Sequence, residues 1–135
     1  MPVVRTAANY PARQYLAQAK QMLANHFVEA GANYARQAFE AALRGGCQRH
    51  SVLVAFQQNN KDVKAEALLR AVEDWAKLKP ARSAIFDPVL QRLRLLRNVV
   101  MNPYSHPLAP NIPTTEVRGA IAEVEKLIGA FDGKH

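Results

Sequence analysis

Arg92-Leu-Arg-Leu-Leu-Arg-Asn-Val-Val-Met-Asn-Pro-Tyr-Ser-His106 is the stretch on which the reading of this 135-residue chain turns. At about 100° per residue, Val89, Leu93, Leu96 and Val100 fall on one apolar arc, Arg97 lies at its margin beside Leu90, and Arg92 and Arg94 lie further out. That spacing predicts a helix, which Asn102-Pro103 stops. Tyr104-Ser105-His106 then opens a loop that Pro107, Pro110 and Pro113 stiffen. No Asp or Glu occurs from Pro88 through Thr115, so nothing close in sequence neutralises Arg92, Arg94 and Arg97, and a positive potential is expected there. A guanidinium beside a core stripe cannot shed its charge. Arg97 therefore has three readings: a snorkelling side chain with a solvated head, the partner of an internal Glu, or a clamp for a ligand anion.

Working outward, the helical period recurs in both directions. Upstream, Asn9 and Pro11 mark a start after an N-terminal arm over residues 1–9, and Tyr15, Leu16, Ala19, Met22 and Leu23 carry a first helix to about Ala24. Asn25 reads as the cap of a second helix, in which Phe27, Tyr34, Ala38 and Leu43 share a face and Gly45-Gly46 is the stop, with a break at Gly31-Ala32 as the alternative. Its small residues suit close approach to a neighbour and a central place in the bundle. Cys47 to Asn60 reads as an extended or irregular connector, since SVLVAF has no partner strand. Val63, Ala67, Leu68, Ala71, Val72, Trp75 and Leu78 define a third helix that ends before Pro80, with Trp75 in the core and Glu73-Asp74 on a solvated face. Residues 81–86 add a turn, and Asp87-Pro88 reads as the start of the arginine-bearing helix. Downstream, Thr114 or Thr115 caps a last helix whose stripe is Val117, Ile121, Val124, Ile128 and Phe131, and Gly133 follows its end. The fold predicted over residues 10–132 is one all-α domain, an antiparallel bundle of about five helices with a Pro-rich loop before the last.

Composition bounds the function. The 18 Lys and Arg against 11 Asp and Glu give a net charge of +7, which favours nucleic acid, an anionic surface or an acidic protein as partner. Cys47 is the only cysteine, so no intrachain disulfide forms. A thiol just past a helix end reads as a small buried hydrophobe. The N-terminal residues lack the apolar core of an export signal, and the longest apolar run, Val52 to Phe56, is too short to span a bilayer, so a cytoplasmic protein with no membrane contact is expected. The four histidines are scattered, with no second His, Cys or acid at ligand spacing, and no metal or cofactor is expected. No phosphate-binding glycine loop or serine elbow occurs. What remains is Arg97-Asn98 followed by Asn102, Ser105 and His106, in which an arginine can hold a phosphate and a histidine can transfer a proton. Those two services are what metal-free RNA cleavage needs, because the 2′-hydroxyl supplies the nucleophile. Tyr104 offers a ring on which a base can stack.

These residues also carry a resemblance. Asn33-Tyr34-Ala35-Arg36 with Phe39-Glu40 and Leu43-Arg44, followed late in the chain by Leu96-Arg97-Asn98 and the Asn102-to-His106 turn, resembles the HEPN-type helical domains of prokaryotic defence and toxin systems. It is also similar to the helical domain at the C-terminus of some defence-associated ABC-type ATPases. The resemblance implies a homodimer, an ATPase domain or partner protein, and RNA rather than DNA as the nucleic acid. In active members an Arg-His pair cleaves RNA in a site built by two protomers. Here Asn102 stands where that His would fall and His106 comes later, and an Asn side chain is no general base at neutral pH. A binding module with Arg92, Arg94, Arg97, Asn98, Asn102, Tyr104, Ser105 and His106 as its recognition patch is the first expectation. A metal-independent ribonuclease using Arg97 and His106 is the second.

Overall fold

The computed structural model describes residues 10–54, 65–97 and 113–135. Among them are five helices and no strand: α1 (Tyr10–Ala24), α2 (Val28–Arg49), α3 (Ala65–Lys77), α4 (Pro80–Leu96) and α5 (Thr114–Asp132). The all-α bundle is as the sequence predicts, and none of these helices is long and apolar enough to cross a membrane. The expected Pro-rich loop lies outside the described residues. So do Val63 and Val100, two members of the predicted apolar stripes.

α2 touches α1, α3 and α5, which gives it the central place expected of a helix rich in small residues. Gly31, Ala32, Ala35, Ala38 and Ala42 are buried, together with Phe39 and Leu43. α3 adds Leu69 and Val72, α4 adds Phe86, Leu90 and Leu93, and α5 adds Leu127, Ile128 and Phe131, all sealed from solvent. Each such side chain contributes about 1.5–3 kcal/mol of burial.

The helix ends depart from the sequence reading, each for a local reason. Gly45-Gly46 does not stop α2, and Gly31 does not break it; the helix runs on to Arg49. A Cβ at Gly46 would stand 2.5 Å from the Phe131 ring, so this glycine serves the contact with α5 rather than a turn. α2 instead ends where Val52 N–H reaches the Cys47 carbonyl (2.9 Å) and Ser51 N–H the Gln48 carbonyl (3.4 Å), with Ser51 in the left-handed region at φ 54. That is a Schellman motif without its usual glycine. α1 ends the same way: Phe27 N–H bonds the Met22 carbonyl and His26 N–H that of Leu23, with His26 at φ 67. Asn25 therefore belongs to the end of α1, where its side-chain amide donates to the Gln21 carbonyl. Phe27, predicted on the core face of α2, lies outside the helix and is 60% exposed.

α4 begins at Pro80, not at Asp87, and Pro88 lies inside it. Proline there removes one helical bond, yet Ala84 and Pro88 are both exposed, so the carbonyl left without its helical partner lies on the solvent side. Buried Phe86, Leu90 and Leu93 hold the opposite face. Asp87 accepts from Ser83 instead of capping. For α5 the N-cap is Pro113, neither threonine; its carbonyl already receives the N–H of Glu116 and Val117, so both threonines are helical. Gly133 follows α5 as expected, without left-handed backbone.

Gly46→Ala should lose about 1–3 kcal/mol through overpacking against Phe131, whereas Ser51→Gly should gain about 1 kcal/mol by relieving the left-handed backbone. Urea midpoints read both, and a wild-type midpoint for Gly46→Ala would mean that Phe131 does not lie on this glycine.

Candidate functional site

α3 meets α4 along a row of charge. Glu66 and Glu73 are two turns apart on α3 and so share a face. Arg94 of α4 lies between them, with Nη2 2.8 Å and Nε 3.3 Å from the two Glu73 oxygens. Its Nη1 reaches both Glu66 oxygens at 2.9 and 3.0 Å. At the C-cap of α4, three residues further on, Arg97 Nη1 donates to Glu66 Oε1 at 2.8 Å. Arg70, one turn along α3, donates to Glu66 Oε2 at 3.1 Å. One carboxylate thus receives three guanidiniums.

Of the three readings of Arg97, the one with an internal Glu describes its side chain, which is 18% exposed. Arg94 is bound by two acids, and Arg92 is exposed. The counter-charges missing from residues 88–115 come from α3, so Glu73 is not on a solvated face; Asp74 is. Asn98, Asn102, Tyr104, Ser105 and His106 lie outside the described residues.

Burial alone would raise the Glu66 carboxyl, but hydrogen bonds and charge from Arg94, with Arg70 and Arg97, overrule it and hold the group below its ordinary value of 4.5. The hydrogen bonds that Arg94 donates to Glu73 lead in raising its pKa, against the opposing effect of burial. On α2, Arg36 joins Asn33 Oδ1 (3.0 Å) and Glu40 Oε2 (3.2 Å), so three of the residues behind the family likeness form one polar strip. The Cys47 thiol is pushed up to about 11 by burial, which leaves it protonated and inert.

A second cluster gave no signal in the sequence. His50 and His135 are far apart in sequence, yet their rings are 5.5 Å apart. They share one end of the bundle with Trp75, which is half-buried rather than sealed in the core, and with Arg82, the buried charged residue among those described. His50 Nε2 lies 2.7 Å from the Phe131 carbonyl. Burial lowers the His50 pKa against that hydrogen bond, and His135, Arg49 and Arg82 add to the lowering. Among the described residues no three His, Cys, Asp or Glu side chains converge on a metal position. A shallow groove of about 350 Å³ between α1 and α5 is lined by Lys20, Leu23, Arg118, Ile121 and Glu125, and the Lys20–Glu125 pair (2.6 Å) bridges it.

No protein-family model matches the sequence, and no curated protein or solved structure matches it.

The Glu66 bridge fixes a pH dependence. A carboxyl lowered on folding adds stability that is complete above its unfolded pKa and is lost as pH falls through the folded one. Stability should therefore decline below about pH 4.5, and Glu66→Gln should flatten that decline while costing about 1 kcal/mol at pH 7, because the pair is partly exposed and screened. Thermal melts from pH 3 to 7 check both. An unchanged profile in Glu66→Gln would mean that Glu66 does not carry these arginines.

Proposed function

We propose that this chain is a HEPN-like helical module of a prokaryotic defence or toxin-type system, binding nucleic acid through the basic surface around α4. The observation that carries this reading is the charge balance of the α3–α4 row. Arg70, Arg94 and Arg97 rest on two carboxylates, Glu66 and Glu73, and exposed Arg92 adds a further cation on the other flank of α4. The row keeps a net positive charge, and its guanidiniums are oriented before any phosphate arrives. Across the whole chain the excess is +7. RNA in preference to DNA, an ATPase domain or partner protein, and a cytoplasmic setting follow from the family likeness and the sequence reading.

Binding ranks above catalysis for a physical reason. Arg97 is committed to Glu66, so clamping a scissile phosphate requires breaking that pair. A carboxyl held below its ordinary value is a poor general base near neutral pH, which leaves proton transfer to His106 alone. The homodimer needs a surface other than the small-residue face of α2, which is consumed inside the chain. Exposed apolar side chains among the described residues are Phe27, Leu53, Leu78, Ile85 and Leu95, of which Ile85 and Leu95 lie on α4.

Anisotropy of a labelled single-stranded RNA should show affinity falling steeply with salt, since counterion release drives the association. Arg92→Ala, which touches no ion pair among the described residues, should lower the salt slope by about 0.7 without changing the melting temperature. Salt-independent affinity sinks the proposal. In parallel, metal-free cleavage of a structured RNA by wild type that falls by about 10² to 10⁴ in His106→Ala would replace the module with the ribonuclease.

A further inference from the structure

The end of the bundle where α2, α3 and α5 finish and α4 begins carries two leucines that the fold leaves uncovered. The His50 ring, just past α2, lies 5.1 Å from that of Trp75 near the end of α3, so the two helices finish side by side. Leu53 follows His50 by three residues and is 92% exposed; Leu78 follows Trp75 by three and is 76% exposed. Their neighbours hold both in place. Val52 and Val54 pack against the core, so Leu53 between them faces out, the alternation expected of an extended segment. Leu78, which the sequence places on the apolar stripe of α3, stands past the end of that helix, in a two-residue corner between Lys77 and Pro80. Its N–H reaches the Trp75 carbonyl (3.3 Å), and that of Lys79 reaches the Ala76 carbonyl (3.4 Å).

The same end holds an excess of cations. Lys77, Lys79 and Lys134 are exposed, and Arg82 lies buried over the Trp75 ring. None of these four pairs with an Asp or Glu among the described residues. Arg13 and Arg49 share Asp132, and Asp74 is the other acid of the described residues here. Three helix C-terminal ends add only about half a negative charge each, so the surface stays positive. Leucines ringed by lysines select a partner that is apolar within and anionic at its boundary. An acidic amphipathic peptide and an anionic lipid surface both have that make-up. A peptide's apolar face needs a groove to lie in, and a leucine that is 92% exposed has no wall of this chain beside it. A lipid layer closes around a protruding side chain and sets its phosphates level with the lysines. Shape and charge together favour the lipid.

We propose that this end of the bundle docks on an anionic lipid surface, with Leu53 and Leu78 inserted below the headgroups and Lys77, Lys79 and Lys134 against the phosphates. The contact is peripheral. The expectation of no membrane contact rested on the lack of a spanning run, which docking at a surface does not require. α4 is about 25 Å long, so Arg94 and Arg97 at its far end lie clear of the lipid and remain accessible to nucleic acid. The lipid contact and the nucleic-acid reading therefore stand or fall separately.

The test is co-sedimentation of the full chain, at physiological salt, with phosphatidylcholine vesicles made with and without a third of phosphatidylglycerol. Wild type should bind the anionic vesicles at least about tenfold more tightly than the neutral ones. Leu53→Ser and Leu78→Ser, which keep the charge, should each weaken binding about tenfold, and Lys77→Gln with Lys79→Gln about tenfold or more together. All four positions are exposed, so melting temperatures should hold. Trp75 is the only tryptophan in the chain, and its half-buried ring at this end should be quenched by lipids brominated in the upper acyl chain. RNA affinity should be unchanged in the serine variants, and Arg92→Ala should bind vesicles like wild type. No binding of wild type to anionic vesicles would overturn the proposal. Undiminished binding in the Leu53→Ser/Leu78→Ser double variant would overturn it too, because a basic protein would then be adsorbing by charge alone. Binding to polyglutamate with none to vesicles would assign the patch to an acidic protein instead.

Discussion

The bundle depends on the closeness with which α5 lies on α2. Phe131 takes the volume a Cβ of Gly46 would occupy, and its other neighbours are Trp75, Phe86 and His50. One ring thus ties the end of α2 to α3, α4 and α5. A side chain at residue 46 would push that ring outward and open the box in which Arg82 is buried. The run of buried alanines along α2 extends the same constraint toward α1, where the Cβ position of Gly31 would stand 3.4 Å from the Ala19 carbonyl. Close helix approach is favourable because packing at crystal-like density maximises dispersion contacts.

Electrostatics organises the opposite problem of where an excess of arginine is kept. On the α3–α4 face, two glutamates spaced two turns apart hold Arg94 by every one of its donor nitrogens. At the other end, Arg82 meets no Asp or Glu among the described residues and relies on main-chain oxygens and an indole face. The first arrangement gives rigid, partly neutralised cations at a surface, suited to meeting a polyanion whose charge arrives in bulk. The second gives a single desolvated cation, suited to one oriented oxygen group. The same residue type does different work because of the dielectric around it and the partners within reach.

Ion pairs also bind the bundle's ends. Arg13 from α1 and Arg49 from α2 both meet Asp132, and Arg49 donates to the Asp132 carbonyl as well. Cations at the C-terminal end of α5 complement the helix dipole there, and together with His50 and His135 they satisfy carbonyls that lack helical partners. The end of α5 is thereby anchored on α2 by polar contacts as well as by Phe131.

The sequence by itself determined the helical class, the bundle's five elements and most of the buried stripe of α5, because a 3.6-residue period survives in the order of residues and needs no partner to be read. It placed Arg97 correctly at the margin of a core face, and it named an internal glutamate as one partner for it. It could not say which glutamate, since Glu66 and Glu73 become neighbours of Arg94 and Arg97 only once α3 packs on α4. It misread Gly45-Gly46, Asn25 and Asp87-Pro88 because glycine, asparagine and proline have several uses. Local sequence favours the turn, while tertiary contact decides whether glycine instead makes room for Phe131 or proline is tolerated on a solvent-facing side. The cluster of His50, Trp75, Arg82 and His135 belongs wholly to the tertiary structure: its members come from separate elements, and only the meeting of four helix ends puts a buried guanidinium beside a ring and an oxygen.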